Sequence, residues 1–383
     1  MMVTHAISRR ENELSVTVSL WLSVWLALAL ALGAQPFAAA AEWDDVVAAA
    51  KKEGTVVVAN GGGAGSEERR LYTEEFQKQF PGIKVDMTTA GGRSIAPRML
   101  MERRAGKYIW DVYTGGTTTA LEYLVPAGVL DPIKPALILP EVKDPKNWFG
   151  GAIDFSDNAA THNLVFGGYV KPPLVYNTKF VKKTDIRSYR DLLDPKWKGK
   201  IVITDPRRPG SGLAAATFWY GTDGLGKEYI KEFFSKQDVK VSSDYRQQME
   251  WLSRGDYYIA IGHHNGIFNE FLAQGLPLGQ LTASDVKEAN YVTAAVGSMG
   301  LVNRAAHPNA ARVWINWLLS KDTQTRWSRA AGFWSRRRDV PTDHLDPALI
   351  PDEKKISQYQ LNYKEEWVKK RDEIVKYLRT VIR

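Results

Sequence analysis

Glycine and a hydroxyl residue occur together at four points where a predicted strand gives way to a predicted helix. These segments are NGGGAGS (residues 60–66), TAGGRS (89–94), TGGTTT (114–119) and DPRRPGSG (205–212). At the start of a helix the first backbone N–H groups lack a partner within the helix, and the helix dipole adds positive charge. A phosphate, phosphonate or carboxylate group binds well there. Each segment is also an ordinary turn with an N-cap, so it is their number that favours an anion-binding site.

We expect these segments to grip a ligand through backbone N–H groups, hydroxyls and two arginines, from both sides of a cleft. Arginine can hold such an anion with two parallel hydrogen bonds, although an arginine near a helix start can also be an ordinary surface residue. The candidate ligand-binding residues in these segments are Gly63, Ala64, Ser66, Gly92, Arg93, Ser94, Thr114, Gly115, Thr117, Arg208, Gly210, Ser211 and Gly212.

Two adjacent histidines, His263 and His264, directly follow the predicted strand YYIAIG, and Asn265 comes next. In α/β proteins, residues that contact a ligand often lie just after the carboxyl ends of the strands. We therefore add these three residues to the candidate ligand-binding set. The alternative is a solvent-exposed turn.

The familiar catalytic and nucleotide-binding motifs are absent from the sequence. A dinucleotide fingerprint beginning at Gly61 would need glycine where Ser66 stands, and no Walker A loop, G-x-S-x-G or H-E-x-x-H motif occurs. We expect no catalytic residue, no metal and no cofactor, and hence a protein that is not an enzyme. An extracytoplasmic enzyme that uses His263 as a general base is the alternative from another functional class.

The N-terminus has the pattern of a cleavable export signal. Arg9 and Arg10 precede an apolar run over residues 16–33, and small residues follow at 38–41. We predict a signal peptide over residues 1–41 and a periplasmic location; the alternative is an uncleaved anchor helix. The chain has no cysteine and a formal net charge of +8. Its basic residues are scattered, which favours a solvated surface over nucleic-acid binding.

The rest of the 383 residues alternates between predicted strands and helices, which indicates parallel sheets covered on both faces. We predict two α/β units, with chain crossings near residues 168–173 and 283–290. Residues 291–302 have the pattern of one strand. Residues 358–382 have the pattern of an amphipathic helix, which we expect to pack outside one unit with a solvated charged face.

Three phrases, LVYNTK (174–179), DLLDPKWKGKI (191–201) and HPNAARVWINWLLS (307–320), occur in this order. With them the chain resembles the periplasmic solute-binding proteins of ABC importers, in the branch of ferric-ion, thiamine, phosphonate and sugar-phosphate binders. The resemblance implies a two-lobed type II periplasmic binding protein fold, in which a hinge closes two lobes over a ligand. Lobe 1 would comprise residues 42–170 plus 289–383, and lobe 2 residues 171–288. Tyr176, in the first phrase, would belong to the ligand-binding set.

The resemblance also implies the partners: a small anionic solute and an ABC permease in the inner membrane, with the binding protein a monomer. Relatives that bind ferric iron place two adjacent tyrosines where this chain has His263 and His264. Ferric iron prefers oxygen ligands, so we expect a phosphate-, phosphonate- or carboxylate-bearing organic solute. The alternative is ferric ion with a bound anion, with His263 and His264 as metal ligands. A sensor subunit of the same fold is a further possibility.

Overall fold

The computed structural model describes residues 40–61, 66–288 and 290–382. The predicted signal peptide therefore lies almost wholly outside the described residues. In the part of the chain that is described, no helix has the length and apolar character needed to cross a bilayer.

The described chain alternates between helices and short strands. Its helices are α1 (residues 40–53), α2 (Ser66–Arg70), α3 (Phe76–Gln79), α4 (Gly92–Arg104), α5 (Thr117–Thr119), α6 (Pro140–Lys143), α7 (Ser211–Gly221), α8 (Gly226–Lys236), α9 (Tyr245–Arg254), α10 (Asn265–Ala273), α11 (Pro308–Leu319), α12 (Lys321–Ala331) and α13 (Glu365–Val381). Two π-helical turns extend this set, Leu71–Glu75 between α2 and α3 and Ala120–Leu124 after α5.

The strands are β1 (Thr55–Gly61), β2 (Lys84–Thr89), β3 (Val112–Gly115), β4 (Leu130–Asp131), β5 (Asp154–Phe155), β6 (Leu164–Val165), β7 (Gly167–Val170), β8 (Val175–Asn177), β9 (Ile201–Thr204), β10 (Lys240–Ser242), β11 (Ile259–Ile261), β12 (Leu278–Gln280), β13 (Tyr291–Thr293), β14 (Ser298–Val302), β15 (Trp334–Ser335) and β16 (Gln360–Leu361).

The first sheet has the strand order β2-β1-β3-β14-β6-β5, and β4 pairs with β14. Strands β2, β1 and β3 run parallel, whereas β14 is antiparallel to β3, β4 and β6. Its core includes the buried side chains of Trp148, Trp314 and Trp327. The parallel sheet predicted from the strand–helix alternation is therefore only partly right, because a strand from the far end of the chain enters it in the opposite direction.

The second sheet has the order β10-β9-β11-β8-β12. Strands β10, β9 and β11 are parallel, and β8 and β12 complete the sheet in antiparallel pairs. Its core contains Trp219, Tyr229 and Phe233, all fully buried, together with Ile374 and Leu378 of helix α13. The C-terminal helix thus supplies part of the core of the second sheet.

The first and second sheets, with the helices that pack on them, form the two halves of the molecule. A third, small sheet joins these halves and has the order β15-β7-β13-β16. Strand β7 precedes β8 of the second sheet, and β13 precedes β14 of the first sheet. The two connecting strands are antiparallel to each other, with Val292 opposite Val170. The chain therefore crosses between the halves at β7 and at β13, where a hinge between two lobes would lie.

Two predicted elements differ from the structure near these crossings. Residues 291–302 form two strands, because the chain turns at Ala295, whose φ is 47°. The predicted helix over residues 358–382 begins only at Glu365, because Gln360 and Leu361 pair with β13 instead. The predicted lobe limits stay a prediction; they assign α13 to lobe 1, whereas α13 also packs on α7 and α8 beside the second sheet.

Candidate functional site

A cavity of about 350 Å³ lies between the two halves, and we call it the central cavity. The first half contributes the starts of α4 and α5 and the π-helical turn Ala120–Leu124 after α5. The second half contributes the start of α7 and Tyr245 of α9. The crossing strands β7 and β13 form another wall. Its lining residues are Gly92, Thr118, Thr119, Glu122, Tyr123, Tyr169, Lys171, Pro209, Gly210, Ser211, Leu213, Ala214, Tyr245, Tyr291, Thr293, Ala295 and Arg371.

On the first half, α4 and α5 begin side by side because Gly92 has no side chain. A Cβ atom at Gly92 would lie 1.8 Å from Oγ1 of Thr119, which is well inside van der Waals contact. Ordinary non-bonded carbon atoms stay about 3.5–4.0 Å apart. Only glycine therefore lets these two helix starts reach the cavity together.

On the second half, the chain enters α7 through Gly210, whose φ of 152° lies in a region that favours glycine. A Cβ atom there would also meet the Tyr245 hydroxyl at 2.8 Å. The backbone N–H of Ser211 donates to this hydroxyl over 3.3 Å, a long hydrogen bond. Helix α7 is 11 residues long and begins at Ser211, which lines the cavity. The positive end of its dipole therefore lies at the cavity.

The crossing segment after β7 carries a buried lysine into the cavity wall. Lys171 is 3% exposed, and its Nζ donates to the backbone oxygen of His263 at 2.8 Å and to Oδ1 of Asn265 at 2.6 Å. Burial lowers the pKa of this ammonium to about 7. An ammonium has three N–H donors, so one remains for a ligand.

Aromatic rings lie near this lysine, and two further charged groups line the same cavity. Tyr169 stacks on Phe333 with ring centres 5.1 Å apart, and the Lys171 ammonium lies 5.8 Å from the centre of the Tyr169 ring. Glu122, after α5, and Arg371, on α13, also line the cavity. None of these residues was among the predicted ligand-binding residues. For Lys171 the available signal was a lysine within the predicted chain crossing at residues 168–173.

The structure brings some predicted ligand residues to the central cavity. Gly92, Gly210 and Ser211 line it. Asn265 does not line the cavity, but its side-chain oxygen accepts a hydrogen bond from the Lys171 ammonium, which does. The exposed side chain of His264 is near the cavity wall, with its ring centre 5.6 Å from that of Tyr245.

Other predicted residues have structural environments away from the cavity. The ring of His263 is fully buried against Phe268, and neither ring nitrogen has a hydrogen-bond partner among the described residues. Burial, with the nearby Lys171, lowers the pKa of His263 well below its usual value. A neutral, enclosed imidazole of this kind does not contact the cavity.

Arg208 is an exposed residue whose guanidinium is 3.6 Å from a carboxylate oxygen of Asp205. Thr114 is buried and donates to the backbone oxygen of Ser298, while Gly115 and Thr117 are buried beside it. Thr114 and Gly115 belong to β3, and Thr117 begins α5. Neither these three residues nor Arg208 lines the central cavity.

Gly212 packs against β9, because a Cβ atom there would be 2.0 Å from the backbone oxygen of Thr204. Tyr176 packs in the core of the second sheet, and Ser94 is exposed on α4. Gly63 and Ala64 lie outside the described residues. For Ser66 and Arg93 only the backbone is described: Ser66 begins α2, and Arg93 is the second residue of α4.

A larger cavity of about 880 Å³ lies between residues 153–160, 218–223 and 356–367. Its lysine, Lys364, forms an ion pair with Asp154. The other charged residues that line it, Asp157, Asp223 and Glu366, are acidic. This cavity does not suit an anion, and the central cavity is therefore the candidate functional site.

Two α/β halves, joined by crossing strands and enclosing a cavity, define the class of two-lobed solute-binding proteins. Residues 69–333, more than half of the chain, match the family model of bacterial extracellular solute-binding proteins. The protein belongs to this family.

Relatives in Salmonella carry the provisional name 2-aminoethylphosphonate-binding periplasmic protein. The relative from Salmonella typhimurium is 28% identical over 196 residues, which are 49% of this chain and 56% of that protein. The relative from Salmonella typhi is 27% identical over a match of the same extent. The match thus spans about half the length of these relatives.

Solved structures with the same fold include proteins with different bound solutes. Iron-bound HitA from Pseudomonas aeruginosa aligns with a TM-score of 0.63 and 17% identity, over 85% of this chain and 99% of that one. AfuA from Actinobacillus pleuropneumoniae, with fructose-6-phosphate bound, aligns with a TM-score of 0.58 and 20% identity, over 86% and 98%. At this identity the likeness establishes the fold, and the solute must be argued from the cavity.

Proposed function

We propose that this protein is the periplasmic binding component of an ABC importer and captures a small organic phosphonate or phosphate in the central cavity. The observation that carries the proposal is Lys171, a buried ammonium whose hydrogen bonds within the described part of the chain go to two neutral oxygens. Closure of the two halves about β7 and β13 would enclose the solute, and the closed form would deliver it to a membrane permease.

A buried charge without a counter-charge is unfavourable. Lys171 has no ion pair in the part of the chain that the structure describes, and burial alone accounts for the lowered pKa of its ammonium. An anion next to Nζ would supply the missing negative charge and favour the charged ammonium. Binding of an anion would therefore offset the free-energy cost of burying this ammonium.

The surroundings of Lys171 favour an oxyanion head group. The N-terminus of α7 at Ser211 offers backbone N–H groups, and Thr118 and Thr119 offer hydroxyls from the first half. Phosphonate and phosphate groups have several oxygens and accept hydrogen bonds from many directions. Pockets for small molecules have volumes of roughly 300–1,000 Å³, so a cavity of about 350 Å³ suits a small solute.

The names of the Salmonella relatives support a phosphonate that also carries an amine. The central cavity has groups for both ends of such a molecule. Lys171 and the start of α7 suit the phosphonate, while the carboxylate of Glu122 and the ring of Tyr245 suit an ammonium. We therefore propose 2-aminoethylphosphonate as the first solute to test.

Ferric iron with a bound anion is the alternative solute, because HitA is iron-bound. Among the described residues, however, no group of three or more histidine or acidic side chains is arranged to hold a metal ion. The enclosed ring of His263 is also unsuited to the metal role considered above, since both of its nitrogens are buried and His263 is absent from the cavity lining.

Isothermal titration calorimetry of the purified protein with 2-aminoethylphosphonate, methylphosphonate, fructose 6-phosphate and ferric citrate tests the proposal. We expect at least one phosphorus-bearing anion to bind, and Lys171→Met to weaken that binding by about tenfold or more, since hydrogen bonds to charged groups contribute about 1.5–3 kcal/mol. The control is Lys179→Met, an exposed lysine that is absent from the cavity lining. Binding of ferric citrate alone, or equal affinity of Lys171→Met and the wild type, would overturn the proposal.

A further inference from the structure

Helix α13 extends from one half of the protein to the other. At its start, the backbone N–H of Glu365 donates to the backbone oxygen of Ser156 at 2.9 Å. The side chain of Glu365 accepts from the backbone N–H of Asn158 at 2.7 Å. Both partners lie between β5 and β6 of the first sheet, so the helix begins on the first half.

The remainder of α13 packs on the second half. Ile374 and Leu378 are fully buried in the core of the second sheet. Trp367 lies against the end of α7, where a Cβ atom at Gly221 would be 2.3 Å from the indole ring. The hydroxyl of Tyr377 donates to the backbone oxygen of Lys227 at 2.6 Å. The expectation that this helix packs outside one unit only is therefore wrong.

Arg371 lies between these two anchors and lines the central cavity. It donates from Nη1 to the hydroxyl of Thr118, in the first half, and from Nη2 to the backbone oxygen of Asn362 at 3.2 Å. Its Nε has no hydrogen-bond partner among the described residues. Burial lowers the pKa of this guanidinium, and the negative charge of Glu122 opposes that shift.

The position of Arg371 within α13 is unusual for a solvated charge. Residues three or four apart lie on the same face of a helix. Val368, Ile374 and Leu378, at such spacings along one face with Arg371, are all buried. A cation in the middle of this apolar face is costly unless a partner compensates it. The carboxylate of Glu122 offsets part of this cost, while the described hydrogen bonds of Arg371 go to neutral groups.

We propose that Arg371 is a solute-contacting residue and that α13 is a strap that completes the anion site from the C-terminal end of the chain. This inference rests on the proposed function. Arg371 lies beyond residues 69–333, the range that matches the family model. A guanidinium can hold two oxygens of one phosphonate group, whereas Lys171 offers a single point charge.

Three variants test this inference by calorimetric titration with 2-aminoethylphosphonate and methylphosphonate. Arg371→Gln should weaken the binding of both by about 10- to 100-fold, because it removes charge-assisted hydrogen bonds. Arg371→Lys keeps the charge but loses the planar fork, so we expect an intermediate loss. Arg379→Gln removes the same charge from an exposed position on the same helix and should change the dissociation constant less than twofold.

A structural role and a ligand-binding role for Arg371 predict different effects of salt on the dissociation constant of the Arg371→Gln variant. If Arg371 contacts the solute, Arg371→Gln should flatten the dependence of the dissociation constant on salt concentration, because one charge–charge contact is lost. If its role is only to hold Thr118 and Asn362, thermal stability should fall while the affinity and the salt dependence of the folded protein stay unchanged. That result would overturn the inference. If Arg371→Gln does not fold, the affinity of Arg371→Lys for the phosphonate tests the inference instead. An Arg371→Lys variant that binds as tightly as the wild type would overturn the inference.

The outcomes separate the two proposals. If the wild type binds a phosphonate and Arg371→Gln binds it equally well, the strap inference is wrong and the proposed function stands. If the wild type binds neither these phosphonates nor fructose 6-phosphate, the proposed function is wrong, and the inference about Arg371 is overturned with it.

Discussion

The ammonium group of Lys171 donates a hydrogen bond to the side-chain oxygen of Asn265 at 2.6 Å. This bond joins the crossing segment after β7 to the first residue of α10, and so connects the chain's passage between the halves to a helix of the second half. A solute that contacts Nζ would act directly on this connection. Binding energy that favours the closed form over the open form is what a hinge-bending binding protein requires.

The first prediction concerns pH. Burial holds the pKa of free Lys171 at about 7, and a bound anion would raise it. Below this pH the ammonium is already charged, so Lys171 contributes no pH dependence. Above it, binding must take up a proton, and the affinity should fall by up to about tenfold per pH unit until the pKa of the bound form is reached.

Calorimetry of phosphonate binding between pH 6 and 9 measures this effect, with Lys171→Arg as the comparison. The solute's own titration affects both proteins equally, so the difference between their slopes reports Lys171. The neighbouring His263 and His264 both have lowered pKa values and are neutral above pH 7. Parallel slopes for the two proteins would show that Lys171 does not take up the proton.

The second prediction concerns the contact between the starts of α4 and α5. Gly92→Ala would place a methyl group 1.8 Å from Oγ1 of Thr119, so the Thr119 side chain must rotate or the two helix starts must separate. We expect the free energy of unfolding to fall by about 1–3 kcal/mol and phosphonate affinity to fall with it. Chemical denaturation and calorimetry provide the two measurements.

The matched control for that prediction is the preceding residue. A Cβ atom at Gly91 would have no neighbour within 4 Å, and Gly91 has a φ of −57° that alanine adopts readily. Gly91→Ala should therefore change the free energy of unfolding by less than about 1 kcal/mol. Equal effects of the two substitutions would contradict the close contact at Gly92.

The third prediction separates an amine-bearing solute from a simple anion. Glu122 lines the cavity, and its negative charge suits an ammonium but opposes a phosphonate. Glu122→Gln should weaken the binding of 2-aminoethylphosphonate and leave the binding of ethylphosphonate unchanged or stronger. The ratio of the two dissociation constants is the quantity to measure. If Glu122→Gln does not change this ratio, Glu122 does not bind the amine.

The fourth prediction concerns the start of α7. Ser211 lines the cavity at the positive end of that helix, so Ser211→Trp should fill the anion site and abolish binding. The overall fold should persist, as circular dichroism can check, because Ser211 is only partly buried at the helix start. Ser94→Trp is the control at an exposed helix residue that is absent from the lining. Retained affinity in Ser211→Trp would place the solute elsewhere.

Local patterns in the sequence predicted the second half of the fold well. The strand and the helix predicted on either side of residues 205–212 are both present, as β9 (Ile201–Thr204) and α7 (Ser211–Gly221). The same turn supplied Gly210 and Ser211 of the cavity. Elements whose limits depend on distant pairing were less predictable, because no local signal indicates that Gln360 and Leu361 join β13.

The missed cavity residues had functions that depend on tertiary packing. Lys171 is exceptional because the crossing strands bury it, and burial cannot be deduced from a single lysine in a sequence. Arg371 had a visible signal, since it shares a helix face with Ile374 and Leu378. Conversely, His263 followed a strand as ligand residues often do, but its side chain points into the core beside Phe268.

The most direct test of the central claim is native mass spectrometry of the wild-type protein and Lys171→Met. Each would be mixed with 2-aminoethylphosphonate, methylphosphonate, fructose 6-phosphate and ferric citrate in equal amounts. We predict one phosphorus-bearing adduct per wild-type chain, lost on denaturation and strongly reduced in Lys171→Met. An adduct of iron mass alone, or an adduct equally abundant in both proteins, would contradict the assignment of Lys171 and the central cavity to anion capture.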